Sequence, residues 1–258
     1  MTPFNKSRLI LFILLLQTIG ASAQGEINNE HKILFRNEKT FGISANSNGF
    51  GFGYRYAKYI NIHKKWIFEG DINLVKHPKE RKRVNGYVNS SRRFVYGKAN
   101  EAFNLRFAFG RQIELFKKAD YKSISIRLIY SGGPALTFLK PIRYLVYQSQ
   151  KKEAEWEFFK KGTPIQYIID RTPFHKNFEN IQLLPGIFLR TSFGFEFNDR
   201  DKRISLLEVG ITAEAYLKRV KIMEIDKNPF FIPALYIAYR FGKVSSGYHL
   251  KKIDEEGK

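Results

Sequence analysis

The sequence predicts an all-β protein, a single antiparallel up-and-down transmembrane β-barrel of about eight strands, with about ten as the alternative. The first observation behind this prediction is a hydrophobic segment of the export type at the start of the chain. The second is a two-residue alternation of apolar and polar residues along much of the remaining sequence. The third is length, because most alternating runs reach the ~9–11 residues that a tilted strand needs to cross a bilayer.

Residues 1–23 are predicted to form a signal peptide. Lys6 and Arg8 supply positive charge, Leu9 to Leu16 form an apolar run, and Ala21-Ser22-Ala23 place small residues where a signal peptidase cleaves. The apolar run is shorter than the ~20 residues of a membrane-spanning helix, so we expect cleavage after Ala23. The chain contains no cysteine, which excludes lipidation and disulfide bonds.

The strands are predicted from alternation. Along Phe103–Phe109, aromatic and aliphatic residues alternate with small or charged ones, and the runs that begin at Ile187 and Leu207 repeat the pattern. Each run therefore has one apolar face, since successive strand side chains point to opposite sides. The predicted strands are approximately Glu38–Asn46, Phe50–Ile60, Lys65–Lys76, Ala102–Phe116, Ser123–Leu139, Gly186–Asn198, Ile204–Arg219 and Phe230–Phe241.

Two segments leave the strand count open, and one proline bears on the last strand. Gly132-Gly133-Pro134 is compatible with a turn or with a bend inside one strand, and Thr163–Ile169 with an extra strand, which together give the higher count. Pro233 cannot donate a ladder hydrogen bond, so we expect it at a bulge or near the beginning of the last strand.

The connections differ in length. Asn61–Lys64, Lys117–Lys122 and Asp199–Arg203 are short, whereas His77–Glu101 and Lys140–Pro185 are long. Both long connections fall at the same end of an up-and-down barrel, which predicts long extracellular loops and short periplasmic turns. The expected organisation is a periplasmic segment over 24–37, the barrel over 38–241 and a polar periplasmic tail over 242–258.

The polar face of the strands predicts a charge network that fills the lumen. Glycines and mutually compensating charges suit a narrow barrel, whose interior is just wide enough for side chains. Alternatively, these charged residues line a conducting channel or form a catalytic site instead of filling the lumen. The alternative fold is a secreted soluble β-sandwich or lipocalin-like barrel with the apolar face turned inward. The predicted network consists of Arg55, Glu69, Asp71, Arg106, Glu114, Arg127, Arg190, Glu196, Glu208, Glu214 and Arg240.

The formal net charge of +20 is concentrated in part in the first long loop. We expect its cations to contact lipopolysaccharide phosphates or other anions, or else to be simply solvated. Nucleic-acid binding is not predicted, because no recognition module is present and the chain is expected to be exported. The predicted contact residues are Lys79, Arg81, Lys82, Arg83, Arg92 and Arg93.

No catalytic residue, metal site or cofactor is predicted, because no nucleophile motif and no ligand spacing is present. A lipid-A-modifying enzyme is one alternative, with His77 or His175 as the histidine on the outer side; a small passive pore is another. In the second long loop, Glu153–Lys161, where Trp156 and Phe159 are three residues apart, is compatible with a short amphipathic helix that rests on the membrane surface or the barrel mouth, but ordinary loop packing is the favoured interpretation.

Aromatic residues mark the expected membrane interfaces. Tyr54, Tyr56, Tyr130 and Tyr239 are candidates for an aromatic girdle, although ordinary β-propensity also favours tyrosine. Arg111 interrupts the apolar face of its strand near the periplasmic end. The last predicted strand ends at Phe241, which partly matches the signal that barrel-assembly machinery reads.

Several short motifs carry a family resemblance. Tyr130-Ser131-Gly132-Gly133-Pro134 with Leu139-Lys140-Pro141, then Leu184-Pro185-Gly186, Leu207-Glu208-Val209-Gly210 and Arg240-Phe241-Gly242-Lys243, resemble small uncharacterised outer-membrane β-barrel proteins of Bacteroidota. The resemblance is best in the C-terminal half. It implies the outer-membrane location and the barrel fold, and it implies no activity.

Overall fold

Long antiparallel strands close into a barrel in this computed structural model, which describes residues 36–61, 63–87, 93–117, 123–148, 153–197, 203–225 and 228–246. The predicted signal peptide and its cleavage site lie outside the described residues. The barrel strands are β1 (Arg36–Asn46), β2 (Gly49–Asn61), β3 (Lys64–Val75), β6 (Asn100–Phe116), β7 (Ser125–Pro141), β11 (Gln182–Glu196), β12 (Arg203–Tyr216) and β13 (Phe231–Ser246).

The closed order β1-β13-β12-β11-β7-β6-β3-β2 confirms the predicted eight-stranded fold. Each strand pairs with its neighbour along the chain, apart from the loop strands described below, and β1 pairs with β13 to close the sheet. The strands are 11 to 17 residues long. Alternation therefore identified every strand of the barrel, with ends that differ by a few residues.

The prediction that the last strand ends at Phe241 is wrong. Strand β13 continues to Ser246, because Arg36–Glu38 of β1 pair with Val244–Ser246 and extend the ladder. The predicted polar tail therefore begins later than Gly242. Pro233 is the third residue of β13, opposite Ala213, which agrees with its expected place near the start of the strand.

Gly132-Gly133-Pro134 lie inside β7 and form no turn. The regular pairing of β6 with β7 is interrupted between Arg106↔Ala135 and Phe109↔Gly132. A Cβ atom on Gly133 would collide with the carbonyl oxygen of Phe107, so glycine permits a close approach of the two backbones here.

The two ends of the barrel differ. At the turn end, short connections join Asn61 to Lys64, Phe116 to Ser125, and Glu196 to Arg203. The opposite end, here called the loop end, carries connections 76–99, 142–181 and 217–230 together with the tight turn at 47–48. The long connections thus share one end, as their positions predict.

The loops at the loop end contain sheets of their own. These consist of β4 (Lys82–Arg83) paired with β5 (Phe94–Val95), and of β8 (Arg143–Gln148) between β9 (Glu153–Phe158) and β10 (Ile168–Arg171). Phe94, Ile142, Tyr144, Phe159 and Ile168 form the buried core of this region. The loops are therefore folded against one another.

Two expectations for the second long loop are corrected. The helix considered for Glu153–Lys161 does not form, because Glu153–Phe158 is strand β9, with Trp156 and Phe158 on the face opposite to Glu155 and Glu157. The proposed extra strand at Thr163–Ile169 does not join the barrel; Ile165–Tyr167 form a 3-10 helix, and β10 pairs with β8. No helix among the described residues is long and apolar enough to cross a membrane.

Candidate functional site in the lumen and at the loop end

The barrel has apolar residues outside and charged residues inside. On the outer wall, Ile43 is 64% exposed and Leu189 is 69% exposed, whereas Arg55 and Glu208 in the lumen are 2% and 0% exposed. A soluble sandwich or lipocalin-like barrel would bury its apolar face, so this alternative is excluded. An apolar outer wall around a polar interior is the arrangement of a barrel that spans a membrane.

Glu69 is the shared acceptor of a central charge network in the lumen. Its carboxylate accepts hydrogen bonds from Arg55 Nε at 2.9 Å, from Arg190 Nη1 at 2.8 Å and from Arg240 Nη2. Arg55 lies directly opposite Glu69 on the adjacent strand β2, whereas Arg190 and Arg240 come from strands that do not pair with β3. The network thus ties β2, β3, β11 and β13 together across the lumen.

The remaining acids continue the same network. Asp71 accepts from Arg106 Nε at 2.6 Å and from Arg190 Nη2 at 2.9 Å. Glu214 accepts from Arg106 Nη1 at 2.7 Å, and Glu208 accepts from Arg55 Nη2 at 3.1 Å. The members Arg55, Arg106, Arg190, Arg240, Glu69, Asp71, Glu208 and Glu214 balance in charge, which offsets the cost of burying them.

A second group of charges, the turn-end cluster, is separate from the central network. Arg127 Nη1 donates to Glu38 at 2.9 Å, and Arg127 Nη2 donates to Glu196. Lys65 also pairs with Glu38. Ser125 Oγ donates to Glu114 Oε1 at 2.9 Å. Sequence reasoning missed Glu38 and Lys65, although the spacing of Lys65 from Glu69 places both on one strand face.

An apolar layer separates the two groups of charges. Ile67 and Ile129 are 0% exposed, and they pack with Leu206, Ala57 and Ile204 in the lumen. In sequence, Ile67 lies between Lys65 and Glu69. The layer was not predicted, and it fills the lumen between the two groups of charges with apolar side chains.

The lumen is also closed at the loop end. Val75, Leu139, Leu184 and Tyr216 from the strands pack with loop residues in an apolar cap, whose loop members are Val95, Val220, Ile222 and Met223. A cavity beside Arg190 and Arg240 has room for only about one water molecule. The structure therefore places all of the predicted lumen charges in a filled interior, in two groups.

The predicted anion-contact residues lie on the first long loop. The side chains of Lys79, Arg81, Lys82, Arg83 and Arg93 are exposed, and none forms an ion pair within the described residues. Arg92 lies outside the described residues. Lys98 differs from its neighbours, because it is buried and pairs with Glu80 at 2.9 Å.

Among the described residues, neither histidine of the enzymatic alternative is hydrogen-bonded to a nucleophilic side chain. His77 Nδ1 accepts the backbone N–H of Lys79 at 3.1 Å, while Glu80 accepts the backbone N–H of His77 and is engaged by Lys98. Burial lowers the pKa of His77, an effect that Lys79 reinforces and Glu80 opposes. His175 is exposed on the other loop. Within the described ranges, no group of acids and histidines is placed to hold a metal ion.

The girdle candidates all lie on the outer wall. Tyr54, Tyr130 and Tyr239 are 39%, 38% and 43% exposed, and Tyr56 is half-buried. The guanidinium of Arg111 lies 4.2 Å from the centre of the Trp66 ring near the turn end. This cation–π contact lets the charge stay on an otherwise apolar wall.

Comparison with known proteins gives fold similarities only. No family model matches the chain, and no curated protein matches. The chain is similar to Ail, the attachment invasion locus protein of Yersinia pestis, solved with the heparin analogue sucrose octasulfate, at a TM-score of 0.40 and 8% identity over 82% of this chain and 99% of that chain. It is similar to Neisserial surface protein A at a TM-score of 0.42 and 8% identity, over 81% of this chain and 96% of that one.

The N-terminal β-barrel domain of Pseudomonas aeruginosa OprF is similar at a TM-score of 0.37 and 5% identity, over 80% of this chain and 99% of that one. The resemblance to barrels of Bacteroidota stays a prediction.

Proposed function

We propose that this chain is a non-enzymatic outer-membrane barrel with a closed lumen, whose folded loops form a binding surface outside the cell. The observation that carries the proposal is the filled interior within an apolar wall. Side chains occupy the lumen from the turn-end cluster to the apolar cap, so transport through the barrel is disfavoured. Specific contacts are then left to the loop end.

The orientation follows from the two ends of the barrel. Bacterial outer-membrane barrels have short periplasmic turns and longer extracellular loops, so the loop end of this chain faces the exterior. The predicted signal peptide and the resemblance to Bacteroidota barrels support the same location. Assembly by the barrel-assembly machinery belongs to this proposal.

The ligand class proposed for the loop end is the phosphate of lipopolysaccharide. Arg81, Lys82 and Arg83 follow one another on the first long loop, and all are exposed. Within the described residues they form no ion pair, so their charge is available to an anion. Charge-assisted hydrogen bonds from arginine to phosphate are among the strongest polar contacts in proteins.

Lipopolysaccharide binding by a charge-matched pair of variants tests this function. The triple variant R81Q/K82Q/R83Q is compared with K176Q/K218Q/R219Q, which removes three exposed cations elsewhere at the loop end. We expect the first variant to bind at least about tenfold more weakly at low salt, since phosphate affinity scales with local charge. An unchanged affinity of the first variant, or an equal loss in both, would contradict the ligand assignment.

The absence of enzymatic activity is tested separately. Mass spectrometry of lipid A from cells with and without the gene is expected to show identical species. A modified lipid A that disappears on substitution of His77 or His175 would overturn the non-enzymatic part of the proposal.

A further inference from the structure

A row of cations crosses three neighbouring strands on the outer wall near the turn end. Lys39 of β1 lies directly opposite Lys243 of β13, and Lys243 lies directly opposite Arg203 of β12. All three side chains are exposed on the outer face. Side chains directly opposite across antiparallel strands have Cβ atoms about 5 Å apart.

Like charges directly opposite each other destabilise a sheet, so an anion held between Lys39 and Lys243 would stabilise this edge of the barrel. The barrel strands do not supply one on this face. Their described carboxylates point into the lumen, except Glu101, which lies at the opposite end and pairs with Lys140. Lys39 and Lys243 form no ion pair within the described residues.

An aromatic layer lies next to the row, on the side nearer the middle of the barrel. Phe41 is two residues beyond Lys39 and lies directly opposite Phe241. Its ring centre is 5.0 Å from that of Tyr54 and 6.4 Å from that of Phe241. Aromatic rings beside cations are typical of the level at which a membrane protein meets lipid headgroups.

Two further cations, Lys58 and Arg111, lie on the outer wall near the turn end. Lys58 of β2 lies opposite Trp66 of β3, and Trp66 lies opposite Arg111 of β6. The outward-facing charge near the turn end is therefore positive on β1, β2, β6, β12 and β13 among the described residues.

We propose that Lys39 and Lys243, directly opposed on β1 and β13, bind the phosphate of an anionic phospholipid in the periplasmic leaflet. This inference rests on the proposed function, which places the turn end at that leaflet. One phosphate bridging neighbouring cations offsets their mutual repulsion, while the acyl chains lie along the aromatic layer and the apolar wall. The ligand class is thus a lipid with a net negative headgroup.

Native mass spectrometry of the purified full-length protein tests the row. The protein is equilibrated in detergent with equal amounts of phosphatidylglycerol and phosphatidylcholine, and the retained lipids are counted. The variant K39Q/K243Q is compared with K39R/K243R, which keeps the charge, and with K176Q/K218Q, which removes two exposed loop cations.

We expect the wild type, K39R/K243R and K176Q/K218Q to retain phosphatidylglycerol preferentially. Each cation near a membrane surface contributes about a fivefold preference, so K39Q/K243Q should lose about 25-fold in relative affinity. Equal retention of the two lipids by the wild type would overturn the inference. An equal loss in K176Q/K218Q would also overturn it, because net charge alone would then explain the preference.

A gel-shift control distinguishes this inference from the proposed function. Folded barrels migrate differently before and after boiling, and the same samples are examined in this way. A folded barrel in the membrane fraction without lipid preference contradicts the phospholipid site alone. A chain recovered only in the soluble fraction contradicts both proposals.

Discussion

Glu69 shows why the lumen charges act as a group. Its carboxylate is shared by Arg55, Arg190 and Arg240, and its side chain has no exposed surface. Burying a charge is costly unless it is paired, and removing one partner leaves the others uncompensated. The stability of the barrel therefore depends more on the completeness of the network than on any single ion pair.

Replacing Glu69 by glutamine should destabilise the barrel by about 3–5 kcal/mol, because three buried guanidinium groups lose a shared counter-charge. The free energy of unfolding is measured by urea titration in lipid vesicles. The control E179Q changes an exposed loop carboxylate and should stay within about 0.5 kcal/mol of the wild type. A loss below about 1 kcal/mol for E69Q would mean that the network contributes little.

His77 gives the loop end a pH dependence. Burial lowers its pKa from the ordinary 6.5, so the folded loop favours the neutral ring. A depressed histidine pKa contributes stability that is present above the unfolded value and is lost as pH falls below it. Protonation also removes the acceptor that binds the Lys79 N–H.

An NMR titration of His77 in detergent micelles should give a pKa below 6.5. Hydrogen exchange at the Lys79 amide should accelerate as the pH is lowered through the same range, after correction for intrinsic exchange. H77N serves as the reference that lacks the titration. A pKa at or above the ordinary value would contradict this account of the loop.

Among the elements, the second long loop is fixed to the barrel by Lys140 on β7. Its ammonium lies 3.9 Å from the centre of the Phe174 ring and 4.7 Å from that of Phe178, and it pairs with Glu101 at 3.3 Å. It also donates to the carbonyl oxygen of Phe174. This contact holds the segment that leads from β10 to β11 against the outer wall.

The variant K140M should release that segment while leaving the barrel intact. A buried cation–π contact contributes about 2 kcal/mol, which corresponds to roughly 30-fold more frequent local opening. Limited trypsin digestion after Lys176 measures the opening. K76M, which alters the exposed cation above the Phe50 ring, is the control. Unchanged digestion of K140M would show that the contacts of Lys140 do not hold the segment.

The elements also show how far alternation predicts this structure. Runs such as Phe103–Phe109 alternate over enough residues that a helix cannot produce the pattern. Every barrel strand was therefore predictable from the sequence. Strand β9 could not be predicted in this way. Trp156 and Phe159 are three residues apart, which is the spacing of residues on one face of a helix. A segment of six residues holds too few repeats to separate the two periods.

The contents of the lumen were only partly predictable for a similar reason. Alternation assigns Glu69, Arg127 and Arg190 to the inward faces of their strands. In a narrow barrel, charges in the interior have to be compensated by opposite charges. Which acid pairs with which arginine depends on the closure of the sheet, since partners such as Arg55 and Glu208 are far apart in sequence. The apolar layer around Ile129 was missed because the inward face was treated as uniformly polar.

At the scale of the whole molecule, the barrel is layered along its axis. The turn-end cluster, the apolar layer, the central charge network and the apolar cap follow one another from the turn end to the loop end. Outside, an apolar wall lies between the cationic row at Lys39 and the folded loops. The central claim is that the wall faces lipid and that the lumen is closed to water.

Reactivity of single cysteines with a water-soluble thiol reagent in proteoliposomes tests both halves of this claim. The native chain has no cysteine, so each introduced thiol is the only target. L189C is on the outer wall, S192C points into the lumen, and K82C is on the first long loop. We predict rapid labelling of K82C and no labelling of L189C or S192C until the protein is unfolded. Labelling of S192C in the folded protein would show an open lumen, and labelling of L189C would show a wall exposed to water.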